Sequence, residues 1–304
     1  MPRLIAVDWG TSALRGALLD EAGRVLEEKS APLGILNVPN GDFAGVFAEQ
    51  FADWMRSSDV PCLISGMAGS RQGWVEAPYV ACPAGPDELA KHLHWIERGR
   101  IAIVPGLSDT QGDVPDVMRG EEVQIFGAAR LAGLVDGLFV LPGTHSKWAT
   151  VRAGRVTGFR TFMTGEVYGL LIQHSILART LDAAAPLDEA AFLRGIARAG
   201  RGEGLLHNAF GVRALGLFGR LSPAQSTSYL SGLLIGEELS EQELPENGEV
   251  IVIGAPALVA RYSLALRQRA AKVRTYGAEA TWAGLMATGL MVAGRGRNIE
   301  GEKR

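Results

Sequence analysis

The strongest constraint on this chain of 304 residues is a pattern that occurs twice. "VDWGTSALRGALLDEAGRV" begins at Val7, and "VLPGTHSKWATVRAGRV" begins at Val140. Both run from an apolar stretch into Gly-Thr, then a second stretch, then Ala-Gly-Arg-Val. The spacing from the first Gly to the last is 13 in one copy (Gly10 to Gly23) and 11 in the other (Gly143 to Gly154). A difference of two keeps side-chain parity, because strands alternate with period two. Strand, turn and strand are expected in each copy, so the chain reads as two related lobes, 1–135 and 136–304. At 304 residues it is long enough for two cores of about 100–200 residues each.

The segments between fit that plan. Leu4–Val7, Leu14–Leu19 and Val25–Lys29 predict an antiparallel meander. Phe43–Met55 has apolar residues at helical spacing, and Pro61–Gly66 reads as a buried strand ending in Gly66. Asp87–Gly99 predicts a helix opened by an Asp and closed by Gly. Arg100–Gly106 predicts a strand and Gly120–Leu134 a helix. In the second lobe Ser226–Ser240 predicts a helix. Glu249–Ala271 predicts a strand, a Gly-Ala-Pro turn and a helix. Ala280–Gly294 predicts a last apolar helix, followed by a frayed polar tail. Strands alternating with helices give an α/β class with a mixed sheet in each lobe.

Several functions are disfavoured. A net charge of −3 gives no electrostatic reason to bind nucleic acid or an anionic membrane. No apolar stretch is long enough to span a bilayer, and "MPRLIAVDWG" lacks the apolar core of a signal peptide. Cys62 and Cys82 form no CxxC, so reduced thiols in the cytoplasm are expected. The five histidines make no metal set; His92 and His94, two apart on the expected helix, face different ways. There is no GxxxxGK[ST], no GxGxxG and no GxSxG.

The twin Gly-Thr turns suggest what the chemistry is. Each can offer backbone N–H groups and hydroxyls to an anion, with Gly allowing close approach. Facing each other across a cleft, they would hold a polyphosphate: Gly10, Thr11 and Ser12 on one side, Gly143, Thr144, His145 and Ser146 on the other. Asp8 at the strand end would hold Mg²⁺ largely through water. Plain hairpin turns with a capping Asp are the alternative. Lys147 is one of only five lysines and follows the second turn, where its charge could serve a transferring group or simply face solvent.

"DVMRGEEVQIFG" sets Asp116, Arg119, Glu121 and Glu122 ahead of a helix. They read either as a general base beside an anion-binding Arg or as acids that suit the helix dipole. The loop "SGMAGSRQGWVEAPYVACPAG" follows a strand. In it Arg71 could bind a carboxylate and Trp74 could stack on a carbon chain. Thr164-Gly165-Glu166 forms a turn before a helix and reads as a second substrate wall.

Together, "DWGTSALRGAL", "SGMAGSRQGWVEAPYVACPAG", "DVMRGEEVQIFGA", "LPGTHSKWATV" and "SYLSGLLIGEEL" resemble the 2-dehydro-3-deoxygalactonokinase family, over nearly the whole chain. The Gly-Thr turns mark only its superfamily, the actin–hexokinase type. The "GSRQGW…CPAG", "MRGEE" and "LPGTHSKW" segments are more specific. The resemblance implies a two-lobed actin-like ATPase (ribonuclease H-like) fold that uses ATP and Mg²⁺. It implies transfer of the γ-phosphoryl to the 6-hydroxyl of 2-dehydro-3-deoxy-D-galactonate, a step of galactonate breakdown. By the same resemblance Asp8, Gly10, Thr11 and Ser12 match the first phosphate segment, and Gly143 to Lys147 match the second. Gly254 falls at the adenosine segment, although Ala255 and Pro256 replace the usual paired glycine. Glu121 or Glu122 falls where such kinases carry the base, with Asp116 upstream; Glu121 is preferred. Gly66, Arg71, Trp74, Arg119, Thr164 and Glu166 are the candidate acceptor contacts. The partner implied is a small sugar acid, and a homodimer stays open. The rivals are a kinase for another sugar or sugar acid on this fold, a polyphosphate phosphatase, and a nucleotide-gated assembly module or regulator.

Overall fold

A computed structural model describes residues 2–244 and 248–301. It divides into two compact units. The first takes in residues 1–139, 149–160 and 276–304, and the second 140–148 and 161–275. A single cut after residue 135 would instead give the last helix to the second unit.

The first unit opens with β1 (Pro2–Trp9), β2 (Leu14–Asp20) and β3 (Val25–Ala31). These form the expected meander, with β1 antiparallel to β2 and β2 antiparallel to β3. Leu4–Val7 is apolar at four successive positions and nearly all of it is buried, as a strand covered on both faces requires. β3 carries Glu27, Glu28 and Lys29 and lies at the sheet edge, where charge discourages pairing with another chain. Helix α1 (Phe43–Ser57) starts where the Asp42 side chain accepts a hydrogen bond from Gly45 N at 2.8 Å. It buries Phe43, Val46, Phe47, Phe51 and Trp54 on one face.

Next come β4 (Cys62–Gly66), β5 (Val80–Ala81), α2 (Pro86–Lys91), β6 (His94–Glu97) and β7 (Ile101–Ile103). β8 (Leu107–Asp109), β9 (Asp116–Met118) and α3 (Glu121–Ala132) follow. The main sheet runs β3-β2-β1-β4-β7-β6, and β5-β8-β9 form a small second one. The helix expected over Asp87–Gly99 is therefore corrected: it stops at Lys91. His94–Glu97 instead pairs antiparallel with β7, across a turn where Arg100 N donates to Glu97 O at 2.9 Å. His92 caps α2 and His94 sits on a strand, so the two do not share a helix.

The second copy of the pattern forms β10 (Gly137–Leu141), β11 (Ser146–Arg152) and β12 (Arg155–Phe162). Helices α4 (Thr164–His174), α5 (Glu189–Ala199), α6 (Leu205–Leu217) and α7 (Pro223–Ser240) come next. β13 (Glu249–Ile253), α8 (Pro256–Gln268), β14 (Lys272–Tyr276) and α9 (Glu279–Gly301) complete the chain. The strand order β12-β11-β10-β13-β14 repeats the β3-β2-β1-β4-β7 order of the first sheet. Gly23 and Gly154 close equivalent turns with φ of 78° and 74°. The internal repeat is thus real at the level of topology, and the fold is the actin-like ATPase (ribonuclease H-like) type.

The last helix is longer than its apolar stretch, running on to Gly301; residues 302–304 of the polar tail lie outside the described residues. α9 packs on α3 and β1 of the first unit. The fit against α3 is close: a Cβ on Gly127 would lie 1.7 Å from Ala280 O. In the second unit the core forms where α5, α6 and α7 meet, around Val212, Leu230 and Leu233. Among the described residues no helix is long and apolar enough to cross a membrane.

Candidate active site

In the first unit, candidate groups gather at the ends of β1 and β4 and the start of α3. Antiparallel pairing sets Asp8 opposite Arg15, and parallel pairing sets it opposite Ser65. Arg15 Nη2 bonds Asp8 Oδ2 directly. The other carboxylate oxygen faces Gly66, where a Cβ would lie 3.3 Å from Asp8 Oδ1. A Cβ on Gly120 would in turn lie 3.2 Å from the Cα of Gly66. Both have positive φ, 93° and 102°, so glycine at each spares strain and space together.

The turn after β1 is tight, with Gly10 N donating to Ala13 O at 2.9 Å. Its carbonyls are engaged: Ile35 N donates to Gly10 O at 3.0 Å and Leu36 N to Thr11 O at 3.3 Å. The amides of Thr11 and Ser12 donate to no carbonyl among the described residues, and both residues are exposed. Amides without a carbonyl partner at an exposed turn are what an anion nest requires.

The candidate acids differ sharply. Asp116 lies on β9, where its Oδ1 accepts from Val117 N at 2.7 Å. Glu122 is fully buried, and both its carboxylate oxygens accept from Gly120 N, at 2.9 and 2.7 Å. Burial, reinforced by the neighbouring Glu121 charge, pushes its pKa up to about 8. Glu121 is half-buried at the first position of α3, and its Oε2 accepts from Arg119 N at 3.0 Å.

The Glu122 carboxyl makes stability depend on pH. Its folded-state pKa lies above the ordinary 4.5, so the folded protein holds a proton that the unfolded chain gives up. This stabilisation is complete below about pH 4.5 and is lost as pH rises through about 8. The urea midpoint should therefore fall between about pH 6 and about pH 9, and fall less in Glu122→Gln. Equal slopes for the two proteins would show that Glu122 is ionised throughout.

Arg119 is buried. Its Nη2 donates to Ala77 O at 2.6 Å, and its guanidinium lies 4.3 Å from the centre of the Tyr79 ring. Among the described residues, Nε and Nη1 have no hydrogen-bond partner. Buried polar groups are rarely left so, and the exceptions often serve function. Arg71, by contrast, is 89% exposed and 4.0 Å from Glu76. Trp74 meets Trp9 edge-on at 6.0 Å and Phe47 at 5.4 Å, so core packing occupies its ring.

In the second unit the Gly143–His145 turn is held by α4. Glu166 N donates to Thr144 O at 2.9 Å, and Glu166 Oε2 lies 2.6 Å from His145 Nε2. A Cβ on Gly165 would sit 2.2 Å from Gly143 O, so the helix start rests directly on the turn. Gly254 is on the same spot: a Cβ there would be 3.3 Å from Pro142 O. Lys147 is buried and donates to Thr161 Oγ1 at 2.7 Å, neither exposed nor free to swing. Ser146 also turns inward, its hydroxyl donating to Glu238 Oε1 at 2.7 Å.

Glu238 is the residue sequence reasoning missed. Besides Ser146 it accepts from Trp148 Nε1 at 2.6 Å, Tyr262 Oη at 2.6 Å and Thr164 Oγ1. Burial, then the Glu238 charge, raises the Tyr262 pKa well above its ordinary value. One carboxylate thereby ties β11, α4 and α8 to α7. The available signal was a carboxylate in a helix otherwise buried nearly all round.

A profile of the 2-keto-3-deoxy-galactonokinase family matches residues 8–288. The chain belongs to this family. Over 292 residues it is 38% identical to a Rhizobium meliloti (strain 1021) protein described as a probable 2-dehydro-3-deoxygalactonokinase, covering 93% of this chain and 95% of that one. It is 36% identical to the Escherichia coli (strain K12) 2-dehydro-3-deoxygalactonokinase, over 87% of this chain and 89% of that one. A crystal structure from Sinorhizobium meliloti, named as a candidate member of the same kinases, superposes with a TM-score of 0.86 at 37% identity. It covers 94% of this chain and 97% of that one. As a 2-keto-3-deoxy-galactonokinase, the protein is a sugar kinase. Among the described residues no group of three His, Cys, Asp or Glu could hold a metal ion.

Proposed function

We propose that the protein is an ATP-dependent kinase of the cytoplasm that phosphorylates the 6-hydroxyl of 2-dehydro-3-deoxy-D-galactonate. The observation that carries this reading is the family match over residues 8–288. The first turn, whose Thr11 and Ser12 amides donate to no carbonyl among the described residues, and the α4-braced second turn support it as phosphate contacts. Glu121 takes the proton from the acceptor hydroxyl as its oxygen forms the new bond to phosphorus and the bond to ADP breaks. Glu122, closed off and bonded to Gly120 N, shapes the helix start. Asp116 is set apart on β9.

One free oxygen on Asp8 beside an exposed turn suits Mg²⁺, which keeps several waters and takes one or two carboxylates plus phosphates. When bound, the ion neutralises phosphate charge. Arg15 holds Asp8 in place. Arg119, with Nε and Nη1 uncommitted, binds the carboxylate of the sugar acid. His145 and Glu166 keep the second turn in shape. Binding as a homodimer remains compatible with this chemistry.

The deciding assay follows ADP release with ATP and Mg²⁺ in three reactions: with 2-dehydro-3-deoxygalactonate, with its gluco epimer, and with no acceptor. A phosphorylated product only from the first is expected. ADP release without an acceptor would overturn the kinase reading.

Two variants report on the parts. Arg119→Lys keeps the charge but loses the fork, so KM for the sugar acid should rise on the order of tenfold or more while KM for ATP holds. An unchanged KM would remove Arg119 from the acceptor site. Gly165→Ala forces the Gly143 turn aside, so KM for ATP should rise with little change for the acceptor. Equal kinetics would show that the turn yields without consequence.

A further inference from the structure

The second unit holds a cavity of about 610 Å³ among α5, α6 and α7, with Asn208 and Tyr229 in its wall. That falls within the roughly 300–1,000 Å³ of small-molecule sites. Its polar lining is one-sided: Arg194, Arg198, Arg201 and Arg220 contribute, and no Asp or Glu does. Arg194, Arg198 and Arg201 recur at i, i+4 and i+7 along α5 and just beyond it, so they share one face. Arg220 comes from the connection between α6 and α7.

The cluster is partly built and partly open. Arg198 is fixed, its Nε donating to Asn208 Oδ1 at 2.7 Å and its Nη2 pairing with Glu203. Asn208 is 2% exposed and Tyr229 is 6% exposed, so both belong to the cavity wall. Arg194, Arg201 and Arg220 are exposed and pair with no carboxylate among the described residues. Arg194, Arg198 and Arg201 line the same cavity as Tyr229, so their charges gather at one place. Guanidinium groups stay protonated, so mutual repulsion cannot be relieved by losing a proton. An anion relieves it, and forked guanidiniums suit carboxylates and phosphates.

We propose that this cavity is a binding site, separate from the kinase centre, for a small organic molecule carrying both a phosphate ester and a carboxylate. The arginines take the two anionic groups, and the apolar face of α6 takes the carbon body. Tyr229 supplies a further hydrogen bond, while Asn208, bonded to Arg198 and to Glu237, holds the wall.

The probe is 3-phosphoglycerate, titrated calorimetrically into the full chain, with inorganic phosphate as a second titrant. Both are run with and without saturating ATP. The comparison protein is Arg194→Gln/Arg201→Gln, whose replaced side chains are exposed and unpaired with acids, so folding should hold. Binding of 3-phosphoglycerate is expected to survive ATP, to exceed that of inorganic phosphate, and to weaken on the order of tenfold or more in the double variant. Absence of binding would overturn the proposal, as would equal affinity in the double variant. Loss of binding on adding ATP would place the arginines in the nucleotide site. Equal affinity for inorganic phosphate would refute an organic ligand.

Discussion

Glu121→Gln is expected to lower kcat by about 10²–10⁴, the usual worth of a positioned base, with little change in either KM. The variant should fold normally, because the amide oxygen still accepts from Arg119 N, as Glu121 Oε2 does at 3.0 Å. Asp116→Asn and Glu122→Gln should cost far less in kcat. The first lies on β9, and the second is bonded to Gly120 N in a closed pocket. Steady-state kinetics of the three proteins decide the matter. If Glu121→Gln keeps kcat within about threefold while Glu122→Gln loses more than about a hundredfold, the base is Glu122.

The second large effect is on stability. Glu238→Ala strands four donors at once: the hydroxyls of Ser146, Thr164 and Tyr262, and the indole N–H of Trp148. Each orphaned buried donor costs about 1–3 kcal/mol, and the costs are not additive, so a loss of roughly 3–5 kcal/mol is expected. Glu238→Gln should cost only about 1 kcal/mol. Its carbonyl oxygen can keep Ser146 and Trp148, while its N–H₂ donates to Thr164 and Tyr262, whose hydroxyls can turn and accept. Urea titrations of the two variants distinguish a geometric anchor from a required charge. Equal losses in both would mean that the charge itself matters.

The parts of the fold that were legible are those that short stretches of sequence dictate. The meander is written in short apolar runs and a Gly at each sharp turn, and the repeat follows because the same cues recur at Val140. What failed was strand pairing, which the sheet decides rather than local spacing. "DELAKHLHWIERG" has helical spacing, yet His94–Glu97 pairs with Ile101–Ile103, and that sheet contact overrides the local preference. Helices α5 and α6 and strand β14 were not anticipated at all. The site divides the same way. The Gly-Thr turns and the acids beginning α3 could be found from type and spacing. The inward turn of Ser146 could not, because its partner Glu238 is 92 residues away in sequence. The contacts of Trp74 could not be read either, because the rings it meets, Trp9 and Phe47, lie far up the chain.

The placement of α9 has a consequence for the order in which the chain can mature. Strands β1, β2 and β4 are made first, yet the helix that covers α3 and β1 is made last. During synthesis the first unit must wait, with a strip of α3 and β1 bare, while residues 140–275 emerge and the second unit can close on itself. The later half of the gene therefore completes the earlier half of the protein. A released chain cut back to residue 275 should carry a finished second unit and a first unit that proteases still cut.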